Sequence, residues 1–97
     1  MSHETLLHIL EIEINKRLNS MSIWTDTEKR IAQSFIKAAS HEAVNNFLVS
    51  SSTISHEARE NRIRFFHENE ADNITPNLTR YMKMIRATEN IFVCRPG

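Results

Sequence analysis

The chain has 97 residues, 40% hydrophobic and 25% charged, with 12 basic and 12 acidic side chains and a formal net charge of zero. That length allows a single domain, 1–97, with a modest core; the composition excludes a disordered segment, and the neutral balance argues against the basic excess with which most nucleic-acid-binding domains neutralise phosphates. One Gly and two Pro are too few to turn the hairpins of an antiparallel sheet, so the expected fold is an all-α bundle of four or five helices.

The first helix is predicted over residues 3–18. Leu7, Leu10, Ile14 and Leu18 recur at helical spacing and form one stripe, while Ile9 and Ile12 lie outside it. A helix that is apolar on more than one side is either deeply buried or pressed against a second chain. Residues 19–24 read as a loop. Thr25 with Glu28 three positions later has the pattern of a capping box, and Ile31, Phe35 and Ala38 follow at helical spacing, giving a second helix. Ser40 is placed to cap a third helix, His41 to Leu48, with Val44, Phe47 and Leu48 inward. A polar stretch, Ser50 to Thr53, separates it from a fourth helix ending near Asn69, whose inward candidates are Ile54, Ala58, Ile63, Phe65 and Phe66.

Polar residues 69–74 read as another loop. Thr75 as N-cap and Pro76 at the first helical position then open a fifth helix, striped by Leu78, Tyr81, Met82 and Ile85. The tail from Asn90 to Cys94 either extends that helix or forms a short C-terminal strand. The tripeptide Ser-His-Glu occurs at 2–4, 40–42 and 55–57, where Ser would cap a helix and Glu would sit near its positive end.

The residues offer little chemistry. No two of the five histidines, His3, His8, His41, His56 and His67, stand at i and i+3 or i+4, the spacing that a helical metal site needs. Glu4, His8 and Glu11 alone would make a weak ligand set. Cys94 is the single cysteine, so an internal disulfide or thiolate cage is excluded. No nucleophile stands with a base and an orienting group, and a glycine-rich phosphate loop cannot be built. No catalytic, cofactor-binding or metal residue is assigned, and no small-molecule substrate is indicated. The opening Met-Ser-His-Glu-Thr lacks the basic start of a signal peptide, and no apolar run approaches the roughly 18 residues of a membrane span. The expected compartment is the cytoplasm.

Residues 40–66 carry the most specific pattern. Val44, Val49 and Ile54 have the apolar spacing of a helix-turn-helix unit. In that reading Ser51, Ser52, Ser55 and His56 face phosphates or base edges, and Arg59 and Arg62 lie near the DNA backbone. Two stretches, Thr25-Asp-Thr-Glu-Lys-Arg-Ile-Ala32 and Val49-Ser-Ser-Ser-Thr-Ile-Ser55, together resemble the helix-turn-helix domain of RpiR-type bacterial repressors. Leu48 stands where that family's turn has Gly, and His56 where Arg is common. The resemblance covers about a third of the chain and implies a DNA-binding transcriptional regulator.

The reading preferred from the residues is a different one. Ile9 and Ile12 on helix one, Met82 and Met84 on opposite sides of the last helix, and Ile91, Phe92 and Val93 in the tail are apolar groups without an obvious internal partner. Methionine adapts to partner surfaces, and exposed apolar patches mark interaction sites. They point to a small non-enzymatic regulatory protein, an inhibitor, adaptor or small chaperone, that binds a protein partner or dimerises through apolar helix faces.

Overall fold

A computed structural model describes residues 2–20 and 24–93, with side chains up to Thr88. It contains three helices, α1 (His3–Asn19), α2 (Asp26–Ser51) and α3 (His56–Val93), and no strand among the described residues. The all-α expectation holds; the four or five helices become three. At 1.5 Å per residue, the 38 residues of α3 span about 57 Å, which accounts for the 62 Å long axis of a molecule only 23 × 18 Å in section.

Local chemistry sets the starts. Ser2 caps α1, its Oγ accepting from the Thr5 N–H at 3.2 Å. Thr25 and Glu28 close the predicted capping box in both directions, at 3.1 and 2.9 Å. Ser55 accepts from the Ala58 N–H at 3.2 Å and opens α3. Two of the three Ser-His-Glu tripeptides therefore start helices. The third does not: Ser40 is fully buried in the middle of α2, and the helix runs straight through the boundary predicted there. A buried Ser is small enough for close helix packing, and Ala32, Ala39 and Ala43 line the same side of α2.

The predicted loop at 69–74 is likewise continuous helix. Ala71, Ile74 and Leu78 are buried and carry the apolar row of α3 through the polar stretch, in which Asn69, Asp72 and Asn73 are exposed and Glu70 is half-buried. Pro76 lies inside α3 rather than at a helix start. It removes one ladder hydrogen bond at a cost of about 3 kcal/mol, which the packing of Ile74, Leu78 and Met82 on the other two helices must offset. The short C-terminal strand is replaced by helix as far as Val93.

The core follows helical rows, of step four on α1 and α2 and along Ile74, Leu78 and Met82 on α3. Leu6, Leu10, Ile14 and Leu18 are buried on α1; Ala32, Ile36 and Val44 on α2; Phe66, Ala71, Ile74, Leu78 and Met82 on α3. Such i, i+4 rows are the ridges by which helices interlock. Leu6 thus takes the place expected for Leu7, which is only partly buried. Cross-links between helices fix the order. Asn15 and Gln33 exchange a side-chain hydrogen bond at 2.6 Å, and His3 meets Asn45 at 2.9 Å; these run α1 antiparallel to α2. Phe35 stacks on Tyr81 and Phe47 packs at a tilt against Phe66, with centroids 5.3 and 4.7 Å apart, running α2 antiparallel to α3. Arg17 pairs with Asp72 across α1 and α3. Past Leu18, α1 stops and α3 continues beside the N-terminal part of α2.

Candidate functional site

The apolar residues proposed as contacts separate in the structure. Met82 belongs to the core, 3% exposed, and offers no surface; Met84 is 64% exposed. Ile12 is 44% exposed. Ile9 is half-buried and lines a cavity of about 140 Å3 between α1 and α3 with Leu6, Ile63 and Phe66. The side chains of Ile91, Phe92 and Val93 lie outside the described residues.

The residues proposed for DNA also separate. Ser51 is buried, 1% exposed, and its carbonyl accepts from Arg59 Nε and Nη2 at 3.3 and 3.0 Å. That bond ties the end of α2 to the start of α3 and occupies Arg59. Ser55 is committed as the cap of α3. Ser52, His56 and Arg62 remain open to solvent, with His56 3.8 Å from Glu60. The stretch 49–55 forms the end of α2 and the turn, and Val49 is 75% exposed.

Two grooves flank α3. One, of about 480 Å3, lies beside the last turn of α1 between the Arg17–Asp72 pair and the cations Arg80 and Lys83. The other, of about 380 Å3, lies between the C-terminal half of α2 and the first half of α3. Phe47 of α2 and Phe65 and Phe66 of α3 form its floor and wall, with Asn61, Arg62, Asn69 and Glu70 at the rims. Phe66 is buried at 5%, whereas Phe65 is 54% exposed. Of this second groove's lining only Arg62 was singled out as a site residue by sequence, because Phe65 and Phe66 are adjacent and both read as core; only one face of a helix can turn inward.

Glu70 is half-buried against the phenylalanines, and no hydrogen bond or ion pair among the described residues reaches it. Burial pushes its carboxyl up from the ordinary range. Arg62 is exposed and equally without a partner. Elsewhere the contrast is sharp. Glu28, 4% exposed, accepts from Arg86 Nε and Nη2 at 2.8 and 2.9 Å and from the Thr25 N–H at 2.9 Å. The Arg86 guanidinium first, and the Thr25 N–H next, hold its carboxyl down to about 2.

Among the described residues no three His, Cys, Asp or Glu side chains converge as metal ligands, and no helix is long and apolar enough to cross a membrane. His3 and His41 do approach, with ring centroids 5.2 Å apart, beside Asn45. No protein-family model, curated protein or solved structure matches the chain.

Proposed function

We propose that this protein is a small non-enzymatic binding module of regulatory type, which holds a protein partner on an apolar helix face. The observation that carries this reading is the open groove over Phe47, Phe65 and Phe66. An aromatic side chain left 54% exposed beside two others is the kind of group that dominates protein interfaces, where Phe, Tyr and Trp are enriched and Lys and Glu depleted. Met84 and Ile12 add smaller apolar areas on other faces.

Retention of protein by the immobilised chain tests the reading. Phe65→Ser should abolish capture, while Met84→Ser, equally exposed but distant, should preserve it. Equal capture by both variants would place the interface elsewhere. The exposed Ser52, His56 and Arg62 beside the α2–α3 turn support DNA as the second reading. It predicts retention of DNA fragments that falls steeply with salt and that is reduced by Arg62→Ala rather than by Phe65→Ser.

A further inference from the structure

On α3, the lining of the phenylalanine groove is laid out in three pairs of neighbours, Asn61/Arg62, Phe65/Phe66 and Asn69/Glu70, each four residues after the last. One helical turn separates the pairs, so they lie on one face of the helix. Phe66 lies midway between Arg62 and Glu70, four residues from each. On either side of it stands a polar pair with one charge, positive toward the N-terminus and negative toward the C-terminus. Arg62 and Glu70 are about 12 Å apart along the axis, too far to pair with each other, and neither has a hydrogen-bond or ion-pair partner among the described residues.

A face of this kind is complementary to itself. In a two-fold interface the same patch meets itself, so residue i touches j and j touches i. We propose that the groove receives a second copy of this chain, with the two α3 helices antiparallel and the two-fold axis at the level of Phe66. Arg62 then meets Glu70 of the other copy, and Glu70 meets its Arg62. Phe65 enters the groove beside the other copy's Phe47. This proposal rests on the protein-binding reading above and names its partner. A different protein would have to bring an anion and a cation, one to each side of an aromatic centre; a second copy supplies both by symmetry. Phe66 is already buried, so the new apolar burial comes chiefly from Phe65 and the open side of Phe47. That limited area places the dimer among weak associations, below the roughly 1,200 Å2 of standard interfaces.

The test is sedimentation equilibrium up to roughly 500 µM on the wild type, Arg62→Glu, Glu70→Arg, the double variant, and an equimolar mixture of the two single variants. Wild type should show a monomer–dimer equilibrium. Each single variant opposes like charges at both ends of the interface and should weaken association by roughly tenfold or more. The mixture should restore it, because each chain then carries the charge the other lacks, and so should the double variant. Far-UV circular dichroism should show unchanged helix throughout; if a charge reversal lowers it, Arg62→Gln and Glu70→Gln replace the reversals and should each weaken association. A monomeric wild type, or single variants that associate as wild type does, overturns the proposal. If the wild type is monomeric and Phe65→Ser still abolishes capture of another protein, self-docking fails and the protein-binding reading stands. If that capture is also missing, both fail.

Discussion

Two glutamates, each partly or wholly withdrawn from water on the α2–α3 hairpin, have their carboxyls shifted in opposite directions. Glu28, at the start of α2, sits among donors from Thr25 and Arg86 and is held as a carboxylate far below its ordinary range. Glu70, in the phenylalanine groove, is less buried yet has no donor among the described residues, and burial pushes its carboxyl up. Burial alone does not decide a carboxylate's charge; the hydrogen bonds that replace its water do. Glu28 has its water replaced by donors of its own chain, whereas no described residue does the same for Glu70.

The same division should appear in packing energy. Phe66→Ala removes a side chain 5% exposed and packed at a tilt against Phe47, and should cost about 3–5 kcal/mol in a denaturant unfolding experiment. Phe65→Ala, one residue away, should cost less than about 1 kcal/mol in dilute solution. Similar losses would mean that Phe65 already contributes to the core of the single chain, and the groove would lose its claim to a partner.

Much of the fold was legible in the residues, and the failures share one cause. The capping box at Thr25, the caps at Ser2 and Ser55, and the helical class all rest on local chemistry that few residues determine. The breaks assigned at Ser40 and at 69–74 rest on polar or capping residues, and the structure overrides both by tertiary packing. Ser40 fits a close helix contact, and Ala71 and Ile74 continue a ridge that the neighbouring Asp72 and Asn73 obscure. A stripe read at a period of 3.6 selects Leu7, whereas helices interlocking along i, i+4 ridges select Leu6. The groove was hidden for a related reason. Nothing local says which of two adjacent phenylalanines faces inward, and Glu70's lack of a donor is a property of three dimensions.

Glu28 should respond to acid. A carboxyl lowered in the folded state stabilises the fold above its ordinary value near 4.5 and loses that contribution as pH falls toward about 2. The stability gap between wild type and Glu28→Gln should therefore be widest at neutral pH and shrink across that window. Arg86→Ala removes the largest cause of the lowering, so it should destabilise at neutral pH and narrow the same gap. Thermal unfolding at pH 7, 4 and 2.5 reads all three proteins. A gap that does not change with pH would mean that the Glu28–Arg86 contact contributes packing rather than charge.

Glu70 should respond with the opposite sign, and more weakly, because it keeps much of its water. A carboxyl raised in the folded state resists being charged, so folding is penalised above both of its titration points, and the penalty fades as pH falls through the raised value toward 4.5. Glu70→Gln keeps the size of the side chain and removes the charge. In dilute solution at neutral pH the variant should be slightly more stable than wild type, and the two should converge below pH 4.5. Raising the protein concentration should reverse the order. If Glu70 finds Arg62 of a second copy, wild type gains a charge-assisted hydrogen bond at each end of the interface and mass action stabilises the dimer, while the glutamine variant gains less. Unfolding midpoints measured at two protein concentrations therefore separate a carboxylate that is merely ill-placed from one that awaits its partner: a variant that stays the more stable at both concentrations identifies the first.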